Sequence, residues 1–218
     1  MKKKRAIGIN LLVIFIVLTV FMTVHGAAFT PASAYQKQER TMNYGPSETI
    51  ATVQRGGDRF FLSKFRDYYS CGAVKRGFLG LWYGSKVGHA WGKENDRDKA
   101  VNYTIVSERE DDNGPDYIYG VINVSEVTSL EIEVLVIDAD GELGIRTIEA
   151  HVADKAEQID EIREVGVIYE DMFIAFIEEE GLRNFHQKKI SAYSKDNQLV
   201  FEEVDPNAVI FEENEVNR

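Results

Sequence analysis

Nineteen consecutive uncharged residues, Ala6 to Val24, follow the basic cluster Lys2-Lys3-Lys4-Arg5 and set the first constraint on this chain. Such a run has no polar face to turn toward water, so it cannot fold as an ordinary surface helix. At 1.5 Å per residue it makes a helix of about 28 Å, close to the roughly 30 Å hydrocarbon thickness of a bilayer. His25-Gly26 then interrupts the run, Pro31 breaks helix, and Ala32-Ser33-Ala34 presents a small-x-small tripeptide. Basic cluster, apolar run and small residues in this order form the layout of an export signal. Residues 1–34 therefore read either as a signal peptide cleaved after Ala34, with Ala32 and Ala34 in the peptidase pocket, or as a retained N-terminal membrane anchor. In both readings the N-terminal segment is in the membrane at least transiently and the C-terminal part is carried across it. The expected location is extracytoplasmic, secreted or anchored to the plasma membrane with the C-terminal domain outside. No cysteine lies near the end of the apolar run, which leaves no site for lipid attachment.

Beyond residue 34 the chain carries 21 basic and 36 acidic side chains, a net charge of −15. So acidic a chain is a poor general binder of nucleic acid, whose affinity for proteins comes mainly from phosphate attraction. Cys71 is the only cysteine, so stability must come from a hydrophobic core, and the thiol reads as a buried small hydrophobe. Charge is unevenly spread. Residues 55–99 sum to +5 and residues 100–218 to −20. The basic stretch also holds nine aromatics between Phe60 and Trp91, both tryptophans among them. This suits either two regions with different partners or one domain whose halves attract each other.

Strand and turn signals recur at short intervals. Glu48 to Gln54, Arg59 to Phe65, Tyr68 to Lys75, Phe78 to Tyr83, Ala100 to Val106 and Tyr117 to Ile122 read as strands, with Gly56-Gly57 as a tight hairpin turn. Leu130 to Ile137 and Leu143 to Val152 flank Asp138-Ala139-Asp140-Gly141, the clearest hairpin. Val167 to Ile177 reads as one long apolar strand, with Glu178 to Gly181 a turn or short helix after it. Lys189 to Tyr193 pairs with Gln198 to Val204 across Asp196-Asn197. Ala153 to Val165 is the one helix expected, with Ala156, Ile159, Ile162 and Val165 on one face. Tyr35 to Ser47 reads as a tether or ordered lead-in, and Trp91 to Asp98 as a polar loop. The expected fold is all-β or β-rich α+β, an antiparallel sandwich or open barrel of about ten strands and one short helix. The expected organisation is residues 1–34 as signal or anchor, 35–47 as linker, 48–205 as the β-rich domain and 206–218 as an acidic tail.

No residue pattern rises to a catalytic signature. Asp138, Asp140 and Glu142 alternate as Ca²⁺ ligands do, but the glycine and distal Glu of a calcium loop are missing, and a hairpin turn explains them. The acidic loop over residues 108–116 reads as a solvated charge run, and His89, His151 and His186 share no zinc-ligand spacing. Cys71 with His89 or His151 has no motif behind it. The chain has no nucleophile elbow, phosphate-cradling loop or dinucleotide fingerprint. No cofactor or metal is expected. What remains is a basic-aromatic surface of Arg59, Lys64, Arg66, Lys75, Arg76, Trp82, Tyr83 and Trp91, suited to an anionic envelope polymer, lipid headgroups or a protein partner. A simpler account makes the aromatics the core face of their strands and the basic residues the solvent face.

The leader, the near absence of cysteine and the run Ala73-Val74-Lys75-Arg76-Gly77-Phe78-Leu79-Gly80 ahead of Trp82 resemble small exported proteins of Bacillus-type Gram-positive bacteria. The resemblance spans mainly residues 48–83 and implies export and a β-rich domain, with no catalytic residues carried over. In such a host the Asn102-Tyr-Thr and Asn123-Val-Ser sequons carry no glycosylation meaning. The expected function is a non-enzymatic binding or interaction module at the outer face of the cell envelope. The alternatives are an envelope hydrolase using carboxylates and a secreted structural or immunity-type partner protein.

Overall fold

In a computed structural model of the chain, the described residues are 2–24, 26–85, 91–106, 116–137, 143–153, 166–177, 184–206 and 208. Helix α1 (Lys2–Val24) has no apolar stripe. Leu11 to Val17, seven consecutive residues that cover the whole circumference, are each more than half exposed. The hydroxyls of Thr19 and Thr23 donate to the carbonyls of Phe15 and Thr19, four residues back, so these polar groups are satisfied within the helix. Among the described residues no helix is long and apolar enough to cross a membrane. The side chains of α1 are described without a break only from Ile9, whereas the uncharged run itself begins at Ala6.

The stretch expected as a tether or ordered lead-in is largely a helix, α2 (Pro31–Thr41). Thr30 caps it from an extended backbone, its Oγ1 accepting the Ser33 N–H at 3.2 Å. Pro31 takes the first helical turn, where its missing N–H is not needed and its fixed φ fits. The same proline that stops a preceding helix thus starts this one.

The first sheet holds β1 (Glu48–Arg55), β2 (Asp58–Phe65), β3 (Tyr68–Arg76), β4 (Trp82–Gly84) and β5 (Lys93–Glu94). The order is β1-β2-β3-β4, and β5 shares the outer edge of β3 with β4 at the opposite end. Gly56, at φ 55°, makes the tight turn between β1 and β2. The strand expected over Phe78 to Tyr83 is shorter, because Phe78–Gly80 forms a 3-10 turn with Leu79 at φ 58° and Gly80 at φ 70°. β5 also falls inside the expected polar loop.

The second sheet holds β6 (Val101–Val106), β7 (Asp116–Ile122), β8 (Val127–Ile137), β9 (Leu143–Val152), β10 (Gly166–Tyr169), β11 (Met172–Ile177), β12 (Asn184–Ser194) and β13 (Leu199–Val204). Its order is β13-β12-β8-β9-β10-β11-β7-β6, antiparallel throughout except for β9 and β10. The long strand expected over Val167 to Ile177 is instead the hairpin β10–β11, turned at Glu170 with φ 54°. Two-sided burial made the run look continuous. β8 and β9 pair in register down to Ile137 opposite Leu143, around the expected Asp138–Gly141 turn. That turn lies outside the described residues, as do nearly all of the expected helix, the 107–115 loop, the 178–181 turn and most of the tail.

The fold is thus β-rich and mostly antiparallel, and the described residues carry two sheets, two α-helices and thirteen strands rather than about ten. All eight strands of the second sheet turn side chains toward one interior, from Val101 on β6 to Ile190 on β12 and Phe201 on β13. Tyr103 Oη donates to Gln187 Oε1 at 2.8 Å, bringing β6 against β12 and curling the sheet nearly into a barrel. β7 and β11 are buried on both faces. Ile118, Ile122, Phe173 and Ala175 point into the barrel, while Tyr117, Tyr119, Met172, Ile174 and Phe176 meet Phe60, Leu62, Tyr69 and Cys71 of the first sheet. The other face of the first sheet packs against α2 through Ala34, Tyr35, Phe61 and Val74.

Gly120 of β7 has no room for a side chain, since a Cβ would lie 2.0 Å from the Asn102 carbonyl oxygen and 2.7 Å from the Phe173 ring. Gly120→Ala is expected to destabilise by about 3 kcal/mol, read from urea unfolding, because backbone rather than a flexible side chain blocks it. Burial, with Glu203 and Asp205 nearby, pushes the Tyr103 hydroxyl up to about 12. The unfolded tyrosine ionises near pH 10, so above that pH the unfolded state holds fewer protons and stability falls. The urea midpoint should drop as pH rises from about 10 to about 12, and Tyr103→Phe should lessen that drop, the other buried tyrosines with raised pKa supplying the rest.

Candidate functional site at the two ends of the first sheet

Strand alternation and register distribute the expected basic-aromatic residues over two ends and two faces. On β2 the odd positions Arg59, Phe61 and Ser63 face α2, and the even positions Phe60, Leu62 and Lys64 face the second sheet. Along β3, Tyr68 and Arg76 are eight residues apart, about 26 Å at ~3.3 Å per residue. Arg59, Lys75, Arg76, Trp82 and Tyr83 lie at the end that carries the β1–β2 and β3–β4 turns. Lys64, Arg66 and Trp91 lie at the other end, Trp91 next to Gly92, whose backbone packs on the Tyr44 ring. The single surface expected from sequence is therefore not formed.

At the first end, the chain leaving α1 is built into the sheet. Ala28 and Trp82 exchange both backbone hydrogen bonds at 2.8 Å, and the Lys37 ammonium donates to the Ala27 carbonyl. The Arg59 guanidinium lies 5.5 Å from the centre of the Trp82 ring and donates to Gln54 Oε1 at 3.1 Å. Lys75 and Tyr83 sit opposite each other on the other face, and the Tyr83 ring covers Gly77. The expected cleavage residues are also inside the structure. Ala32 is exposed within α2, while Ala34 and the following Tyr35 are almost wholly buried. Tyr35 stacks on Phe61 with ring centres 4.7 Å apart, worth about 1 kcal/mol beyond burial. Its hydroxyl bonds to Ser63 and, at 3.1 Å, to Ser70, and burial pushes its pKa up.

At the far end a cleft of about 470 Å³ opens between the sheets, lined by Lys64, Arg66, Asp67, Tyr68, Arg97, Asn123 and Asp171 among others. Lys64 pairs with Asp171 of the β10–β11 turn, and Arg97 with Asp67 at 2.5 Å. The Asp67–Arg97 pair is mostly exposed and contributes little to stability. Arg66, at φ 58° in the β2–β3 turn, lays its guanidinium 5.0 Å from the Phe65 ring centre. One wall of the cleft is held by asparagines. The Asn123 amide donates to Asn95 Oδ1, Asp96 O and Lys99 O at 2.7 to 3.1 Å, and the Asn102 amide donates to Asn95 Oδ1 and Asp96 O at 2.8 Å. These are the two sequon asparagines, and their amides are consumed by the fold. Sequence reading missed this network and Tyr35; the only trace was a polar loop rich in Asn and Asp.

Other candidates separate. Cys71 is buried against Tyr117 and Tyr119, and burial pushes its thiol pKa up, away from nucleophile chemistry. His151 bonds Glu149 at 3.2 Å, His186 pairs with Asp205 at 3.0 Å, and His89 lies outside the described residues. Among the described residues no group of three or more His, Cys, Asp or Glu could hold a metal ion. The Asp138–Glu142 loop lies outside them.

No protein-family model matches the chain, no curated protein matches it, and no solved structure matches it. Removing the Asn123 amide takes this donor from the Lys99 carbonyl and leaves Asn95 Oδ1 and Asp96 O with the Asn102 amide alone. Asn123→Ala and Asn123→Asp are each expected to lose about 2 kcal/mol in chemical unfolding, with faster proteolysis in residues 93–100.

Proposed function

We propose that this protein is a membrane-anchored, extracytoplasmic, non-enzymatic binding module, with α1 retained and the far cleft as its contact surface for an anionic envelope polymer. The observation that carries the reading is the joint between α1 and the first sheet. Four residues beyond the end of α1 the chain enters the Ala28–Trp82 bridge, then the Thr30 cap and α2. Cleavage after Ala34 would remove the bridge and the cap and would cut α2 beside the buried Tyr35. Retention keeps all three, and it gives the all-round apolar surface of α1 a solvent in which its exposure is favourable. The basic cluster Lys2–Arg5 then sets the orientation, with the sheets outside.

In this reading the cleft, at the opposite end of the first sheet, faces away from the bilayer. Its lining side chains include Lys64, Arg66 and Arg97 against Asp67 and Asp171, a local excess of positive charge in a strongly acidic chain. Arg66 and the half-exposed Tyr68 supply a charged and a stacking contact at its mouth. The carboxylate-hydrolase alternative draws less support, since Asp67 and Asp171 are each tied to a base.

Two measurements test the proposal. After carbonate washing, the protein should remain in the membrane fraction with its peptides upstream of Ala34 intact. Recovery from the medium with Tyr35 as first residue would contradict retention. Co-sedimentation with an anionic wall polymer should weaken about tenfold in Arg66→Gln and at high salt, and unchanged binding would remove the cleft from the account.

A further inference from the structure

The end of the first sheet nearest α1 carries features that packing does not explain. Phe29 and Leu79 are 66% and 69% exposed. Leu79 also holds φ 58°, a left-handed conformation uncommon for residues other than glycine, and among the described residues it belongs to none of the three core clusters. Two cations lie at the same end of the sheet. The Arg76 guanidinium lies 3.2 Å from where a Cβ on Gly80 would stand, and Arg59 lies over Trp82. Among the described residues neither has a carboxylate partner.

Position supplies the occupant. From Val24, where α1 ends, to Ala28, paired with Trp82, the chain can span at most about 14 Å, so Trp82 and its neighbours stay within reach of the bilayer surface that α1 leaves. We propose that Phe29 and Leu79, with Arg59 and Arg76 of the same end, seat this end of the first sheet in the anionic headgroup layer of that bilayer, a reading that rests on α1 being a retained anchor. Apolar side chains enter the boundary with the acyl chains, and the guanidinium groups meet lipid phosphates. The chain's acidic remainder is repelled by the same surface, and of the two basic ends of the first sheet this is the one joined to α1. Seating would fix the orientation of the domain relative to the bilayer.

The test uses the full chain in phosphatidylglycerol vesicles, with a nitroxide on Leu79→Cys and, at the opposite end of β3, on Tyr68→Cys. Cys71, 1% exposed, stays unlabelled in the folded protein. Flotation after carbonate washing reports insertion of α1 in the same samples. The label at position 79 should be about fivefold less accessible to a water-soluble nickel chelate than the label at 68, and replacing the lipid by phosphatidylcholine, or Arg59→Gln with Arg76→Gln, should at least halve that difference. Equal accessibility at both positions in floating vesicles would overturn the seating and leave the anchor standing. Failure to float would overturn both, and protection that survives the loss of charge would overturn the role of the two arginines.

Discussion

β7 and β11 are each packed on both faces, and the two sheets depend on that double burial. One face closes the interior of the barrel-like sheet through Ile118, Phe173 and Ala175, and the other holds the first sheet through Tyr117, Ile174 and Phe176. Phe60 meets both Tyr117 and Phe176 edge-on, at 5.2 and 5.0 Å. A strand pair used this way leaves no face for solvent, which is why its sequence runs apolar without alternation. The first sheet, clamped on one side, is then free to bury its other face only against α2. The three layers of core follow from one another, and Gly120 marks how closely the shared strands approach.

The same double burial limited what the sequence could reveal. Alternation is legible where one face meets water, as in β1 and the β8–β9 hairpin, which fall where the residues placed them. It vanishes over residues 166–177, and the turn there uses Glu170 in a left-handed conformation where a reader looks for glycine. α2 was hidden for another reason. Its buried positions are Ala34, Tyr35, Gln38 and Glu39, and with two of the four polar they leave almost no hydrophobic periodicity. The candidate surface was legible as a set of residue types but not as a place. Which residues share an end depends on the β2–β3 and β3–β4 registers, and which share a face depends on parity, so Arg59 and Lys64 part although both lie on β2. Asn102 and Asn123, twenty-one residues apart in sequence, meet only because β6 and β7 pair and bring their ends together.

Charge takes its place in this frame. The basic stretch of residues 55–99 forms most of the first sheet, and the acidic remainder forms the second. Lys64 and Asp171 tie the two across their common core. The uneven spread of charge therefore belongs to one packed body, with positive side chains concentrated at the two ends of a single sheet. One end receives the chain from α1, and the other opens as the cleft. The proposed roles divide along that axis, attachment at one end and binding at the other.

The central claim is that the segment after α1 is part of the folded domain and not a removable leader. Amide hydrogen exchange in the full chain tests it directly. The account predicts that the amides of Ala28 and Trp82, with those of α2 beyond its first turn, are protected to the level of β2 and β3, because each is bonded within the same packed layers. Exchange of Ala28 and α2 at the rate of open chain, while β2 and β3 stay protected, would contradict it.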